Sequence, residues 1–413
     1  MQDKYNPDIA WVYSSDLEPA LIMQKNPLES IKSIIRRMNL ECEDGLPKEV
    51  YVTVFKEQFC SDSKWIIQML PGDMLDLLME IWESDQIEMD QERWDMVQYL
   101  KIFGLVTYRR GNPITGEPNE LHYIEEMKDT FYFLLKSKKS RTIIKEYGEW
   151  EKIISGLFYY YGLIEIPVLH QRFTKIIKQV IPYELFQSFI KSRCSFWGMG
   201  MILQDVNKET EYFQHVNVEN AELTLLYIRE HPDLPYKVPE KEDLIYISEA
   251  GGLDNRWKGI GELGKILLDD MKMDYYQATV MVKMLVVLIQ NSCEWKELQG
   301  KLSTLPFRSE EMKNEAVEAV TILYDKVPIF EYKGFNRQEF NKMFQNILGL
   351  LIHMSVSCRN ILEITAVTFI QFIFQISIRN RRTNTVCIRI LMADHINTFF
   401  CAHKIILLLF SAK

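Results

Sequence analysis

Helical periodicity runs through most of this chain and restricts it to a mainly α fold. Apolar residues recur every three or four positions in "MLDLLMEIWES", so that Met74, Leu78 and Trp82 share one helix face. The segment "EEMKNEAVEAVTILYDKV" repeats this spacing later in the chain. A further segment at 274–290, "DYYQATVMVKMLVVLIQ", is apolar on nearly every side, which is typical of a central buried helix.

Two segments interrupt the helical pattern in the same way. In "YLKIFGLV" a helix runs to Phe103, and Gly104 supplies a left-handed C-terminal cap. The stretches "LVTY" and "LHYI" then flank a loop rich in Gly, Pro and Asn, which predicts a β-hairpin. In "LFYYYGLI" the cap is Gly162, and the short strand "LIEI" follows and ends at Pro167.

The residues after the second cap predict a winged-helix-like module. Two helices, "VLHQRFTKIIKQ" and "PYELFQSFIKSRC", precede a hairpin at 196–216 that turns at Asp205, Val206 and Asn207. Helix, strand, helix, helix and hairpin is the order of elements in a winged helix, and we expect the hairpin to lie beside the "LIEI" strand. The expected core of this module consists of Ile153, Leu157, Tyr161, Ile176, Leu185 and Phe189.

The predicted fold class is therefore mainly α, a helical bundle with winged-helix-like modules that carry short β-hairpins. We predict an N-terminal helical region with a hairpin at 1–147, which we interpret as a degenerate winged helix. The winged-helix-like domain follows at 148–218, and a C-terminal helical domain at 219–346. Three prolines in "HPDLPYKVP" indicate a linker and place the boundary between these two domains near 218–240.

Charge is distributed unevenly along the chain. Seven of the 48 basic residues and two of the 57 acidic residues lie in 347–413, which gives that segment a net charge of +5. The remaining 41 bases and 55 acids give residues 1–346 a net charge of −14. So acidic a surface repels phosphate backbones, and nucleic-acid binding would need a local basic patch.

Cysteine usage favours a reducing compartment. The seven cysteines are scattered singly, and no two of them form a CxxC or CxC pair. This pattern argues against a disulfide framework and against a zinc site. The N-terminal stretch "MQDKYNPDIAWVYSSD" also lacks the basic and then apolar character of a signal peptide. We therefore expect a cytoplasmic protein.

No motif in the chain identifies a reaction. The segment "GIGELGK" at 259–265 matches GxGxxG, but "LDNRWK" precedes it where a dinucleotide-binding loop requires a strand. The histidines form neither HxH nor HExxH, and the GxSxG nucleophile signature is missing. We therefore assign no catalytic, cofactor-binding or metal-binding residue, and we expect no cofactor.

The second helix of the winged-helix-like module carries the candidate contact residues. Tyr183, Gln187, Lys191 and Arg193 lie on faces that could meet a nucleic acid or a protein partner. The two bases lie in a helix that also carries Glu184, so the positive patch is thin. This charge pattern favours a protein partner over DNA.

The last 67 residues, 347–413, differ in composition from the rest of the chain. This apolar, basic segment contains two acids, one glycine, and no Pro, Tyr or Trp. We interpret it as an aberrant tail, of the kind that a frame-shifted reading frame would produce. A membrane anchor at 361–378 is one alternative, although Glu363, Gln371 and Gln375 are costly in lipid. A true core segment is the other.

Several stretches resemble a family of uncharacterised Firmicutes proteins whose full-length members tend to end in a SEC-C zinc-binding motif. The matching stretches are "YLKIFGLV", "LFYYYGLI", "FQHVNVENAELTLLYIREHPDLPYK" and "VPIFEYKGFNRQEF". The resemblance covers roughly residues 30–344 and implies helical repeats with winged-helix-like modules, with no established activity. This chain lacks the SEC-C cysteines, so the resemblance carries over no zinc-dependent role.

Three functional hypotheses follow. The first is a protein-binding or adaptor module without catalysis, and the second is a nucleic-acid-binding regulator that uses the helix at 183–193. The third is an enzyme with an unrecognised site in the helical C-terminal half, which would require a deep pocket with converging polar groups there. The sequence favours the first hypothesis.

Overall fold

The computed structural model describes most of the chain up to residue 345. The described ranges are 12–14, 28–37, 41–61, 65–84, 87–109, 120–123, 125–195, 197–205, 210–343 and 345. The chain divides into two compact units, residues 1–337 and residues 338–413. Within the second unit the described residues, 338–343 and 345, are helical. All further description concerns the first unit, which is mainly helical.

The N-terminal part of the first unit combines helices with short strands. The helices are α1 (Leu28–Arg37), α2 (Lys48–Ser61), α3 (Trp65–Met69), α4 (Gly72–Glu83), α5 (Gln91–Ile102) and α6 (Glu125–Lys136). The strands are β1 (Val12–Ser14), β2 (Val106–Arg109) and β3 (Glu120–Tyr123). Gly104 follows α5 with φ +70° and turns the chain into β2, as the sequence predicts.

The central part has the predicted order of helix, strand, helix, helix and hairpin. Its elements are α7 (Lys138–Tyr161), β4 (Leu163–Glu165), α8 (Ile166–Ile177), α9 (Tyr183–Phe189), β5 (Gly200–Asp205) and β6 (Thr210–His215). A π-helical turn, Ile190–Ser195, continues α9 where the sequence predicts a single α-helix. Of the predicted hairpin turn, Asp205 ends β5, whereas Val206 and Asn207 lie outside the described residues.

The C-terminal part of the first unit is helical throughout. The helices are α10 (Ala221–Glu230), α11 (Lys241–Glu249), α12 (Ile260–Lys265), α13 (Tyr275–Gln290), α14 (Trp295–Ser303) and α15 (Glu310–Lys326). A π-helical turn, Ile266–Asp270, follows α12. Side-chain caps fix where two of the longer helices begin, because Asp274 accepts from the Gln277 amide and Ser309 from the Met312 amide.

The strands of the described residues form two three-stranded sheets. In the first, β3 lies between β1, which is parallel to it, and β2, which is antiparallel. In the second, β6 lies between β4 and β5 and pairs antiparallel with both, with Ile164 opposite Phe213. Both predicted hairpins are therefore confirmed, and the 196–216 hairpin lies beside the "LIEI" strand as predicted.

Three hydrophobic clusters fill the described part of the first unit. The first extends from Ile31 to Ile144, the second from Trp150 to Ile247, and the third from Ile260 to Val327. The predicted core of the central part is confirmed within the second cluster. Its fully buried members are Ile153, Leu157, Tyr161 and Phe189, and its partly buried members are Ile176 and Leu185.

One prediction about burial is wrong. The segment 274–290 was expected to be buried on all sides, but α13 buries only one face. Its buried residues, among them Val282, Leu285 and Ile289, belong to the third cluster. Tyr276 and Val280 are exposed on the opposite side of the helix. Apolar periodicity therefore identified the helix, whereas its burial depends on which neighbours the fold provides.

Several sequence predictions fall on residues that the structure does not describe. The tail at 347–413 and its alternative as an anchor at 361–378 lie outside the described residues, and these interpretations stay predictions. The domain boundaries at 147, 218 and 346 also stay predictions. No helix in the described part of the chain is both long enough and apolar enough to cross a membrane.

A close approach between two helices in the second cluster generates a stability test. A Cβ atom on Gly156 of α7 would lie 2.4 Å from the Leu244 carbonyl oxygen of α11. We expect Gly156→Ala to lower the free energy of unfolding by about 3 kcal/mol, because backbone cannot yield as a side chain can. Chemical denaturation with urea measures this change.

Gly148 provides a matched control on the same helix. A Cβ atom there meets nothing within 4 Å, so Gly148→Ala should stabilise the protein by about 0.5–1 kcal/mol through helix propensity. Equal effects of the two substitutions would contradict the close packing of α7 against α11.

Candidate functional site

The predicted contact residues lie on α9 and the π-helical turn that follows it. Pro182 precedes α9, and its φ of −56° suits the start of a helix. Tyr183 lies in the first turn, where its ring packs edge-on against the His170 ring at 5.5 Å between centroids. Partial burial raises the pKa of the Tyr183 hydroxyl. Tyr183 is therefore partly covered by the chain's own residues.

Gln187 and Lys191 both bind Glu211 of β6. The Gln187 Nε2 donates to Glu211 Oε2 at 2.5 Å, and the Lys191 Nζ donates to Oε1 at 3.0 Å. Partial burial works to raise the pKa of Glu211, but the hydrogen bonds from Lys191 and Gln187 outweigh it and hold that pKa below its ordinary value. The structure thus brings these two predicted contact residues together, with the positive charge of Lys191 matched by Glu211.

Arg193 is fully buried and is therefore not part of the outward contact surface. Its Nη1 donates to the Met69 carbonyl oxygen at 3.1 Å. Its Nε lies 3.2 Å from Glu151 Oε2, in an ion pair rather than a directed hydrogen bond, and Nη2 has no hydrogen-bond partner among the described residues. Burial lowers the pKa of Arg193, and burial also raises the pKa of Glu151 against the attraction of the guanidinium.

The contact between Arg193 and Met69 belongs to a larger joint, which we name the α3 joint. Trp197 Nε1 donates to the same Met69 carbonyl oxygen at 2.8 Å, and Gln68 Nε2 donates to Ser188 Oγ at 2.7 Å. The Trp197 ring packs edge-on against Tyr99 of α5 at 4.8 Å. The N-terminal helices thus cover the end of α9 and the turn after it. Sequence reasoning missed the joint because its partners lie far apart in the chain.

The other sequence candidates behave as structural residues. Gly259, with φ +102°, begins α12, and its amide donates to Glu262 Oε2 at 2.6 Å. This bond occupies the amide that a phosphate would need. His170 Nε2 lies 2.7 Å from the Ile181 carbonyl oxygen. Within the described ranges, no group of three or more His, Cys, Asp and Glu side chains is arranged to hold a metal ion.

His215 is a buried titratable group that the sequence did not single out. Its ring lies edge-on to Tyr159 at 4.8 Å, and the Asn217 amide donates to its Nδ1 at 3.3 Å. Because Nδ1 accepts a hydrogen bond, the neutral imidazole carries its proton on Nε2. Burial, with a smaller contribution from the charge of Lys283, lowers the pKa of His215 to about 4.

Comparison with known proteins places the chain in no family. No protein-family model matches it, and neither a curated protein nor a solved structure does.

The buried Arg193–Glu151 pair predicts strong coupling between two substitutions. Glu151→Leu leaves a buried guanidinium uncompensated and should cost about 3 kcal/mol of unfolding free energy. Arg193→Met should cost less, because the Glu151 carboxyl can take up a proton. The double variant should recover most of the loss, and denaturant unfolding of all four proteins gives the coupling energy.

Lys191→Ala is the matched control, because it breaks the exposed pair with Glu211. That change should cost less than about 1 kcal/mol. Additive effects of Glu151→Leu and Arg193→Met would show that the two groups do not compensate each other.

His215 predicts a pH dependence of stability with a defined sign. The folded-state pKa of about 4 lies below the unfolded value near 6.5, so the unfolded state binds the proton more readily between these values. Stability should be complete above pH 6.5 and should fall by about 3 kcal/mol as the pH drops to 4. His215→Asn should flatten this part of the curve, as measured by urea unfolding across the pH range. An unchanged slope would contradict the burial of a neutral imidazole.

Proposed function

We propose that this chain is a protein-binding or adaptor module without catalysis of its own. The observation that carries the proposal is the α3 joint. The C-terminal end of α9 and the turn after it are engaged by the chain's own Gln68 and Met69, although α9 has the position of the helix that a DNA-binding winged helix lays in a groove. A helix held in this way packs against the body of the protein and is not free to act as a DNA-recognition helix.

The winged-helix identity of the central part belongs to the same proposal. The sheet order β4–β6–β5 places the strand after α7 beside the second strand of the hairpin, as in winged helices. We propose that 148–218 is a winged-helix-like domain and that 1–147 is its degenerate copy, since α5, Gly104 and the β2–β3 hairpin repeat the plan. The resemblance to the SEC-C-motif family and a cytoplasmic location are part of the proposal as well.

Electrostatics support a protein partner over a nucleic acid. Of the four predicted contact residues, Arg193 is buried and Lys191 is paired with Glu211, so the face of α9 carries little free positive charge. Residues 1–346 have a net charge of −14, which opposes the approach of a phosphate backbone. Specific DNA binding by winged helices depends on charge that this face does not offer.

Exposed apolar side chains on α10 suit a protein partner. Leu223 and Leu226 lie one turn apart and are 56% and 49% exposed. Thr224 and Tyr227, about 100° round the helix from the leucines, are buried. Glu219 and Glu222 are exposed next to the leucines and would form an acidic rim. An apolar centre with a charged rim is the usual composition of a protein–protein contact.

The proposal predicts that binding partners contact α10. A photo-crosslinking residue at position 226 should capture a specific protein from the source cells, identified by mass spectrometry. Leu223→Glu should reduce binding of that purified protein at least tenfold, because it places a charge in the apolar centre. Lys313→Glu, at a partly exposed site on a different helix, α15, should leave binding unchanged.

A nucleic-acid measurement separates the alternative hypothesis. Fluorescence anisotropy with a labelled duplex at near-physiological salt should show no tight complex. A salt-dependent complex that is lost on Gln187→Ala plus Lys191→Ala would overturn the proposal in favour of a regulator that uses the helix at 183–193.

A further inference from the structure

We draw no further inference here: the strongest candidate, the surface patch along the outer edge of β5 (Gly200–Asp205) in the second sheet, has no strand beside it within the described residues, and nothing in the structure shows what covers it.

Discussion

The packing of one long helix, α7, connects the three hydrophobic clusters of the first unit. Its 24 residues extend about 36 Å, with Ile144 in the first cluster and Trp150 in the second. Near its C-terminus, the Tyr159 carbonyl oxygen accepts from Gln290 Nε2 of α13 at 2.8 Å. The contact at Gly156 brings α11 against its middle. These contacts tie the N-terminal, central and C-terminal parts of the compact unit 1–337 to one helix.

A second constraint lies near the C-terminal end of the first unit, at Lys333 and Gly334. Lys333, with φ +53°, is buried, and its Nζ donates to the carbonyl oxygens of His231 and Leu234 at 2.8 and 2.9 Å. Gly334 follows with φ +90° against the Tyr161 ring. The prolines of "HPDLPYKVP" predicted a linker here, yet two partly buried hydrogen bonds from one ammonium group hold this segment in place. Proline content alone could not distinguish a flexible linker from an extended segment held by distant residues.

The parts of the fold that the sequence predicted depend on local signals. Gly104 and Gly162 marked helix ends because a left-handed cap needs no distant partner, and the strands that follow them were confirmed. The burial of Arg193 was not predicted, because its partner Met69 lies 124 residues away. The exposed face of α13 was missed for the same reason. Periodicity shows which side chains are apolar, whereas the positions of other elements decide which of them are covered.

The Arg193 of the α3 joint also forms a buried ion pair with Glu151. Replacing such a pair with well-packed apolar side chains often leaves the stability unchanged or raises it. A buried guanidinium whose Nε and Nη2 make no hydrogen bond within the described residues is costly, so we expect Arg193 to fix orientation rather than to add stability. Arg193 and Trp197 both donate hydrogen bonds to the Met69 carbonyl oxygen. These directional bonds fix the position of the turn after α9 on α3. Apolar contacts alone would tolerate sliding. A fixed position of this turn keeps α9 against the body of the first unit.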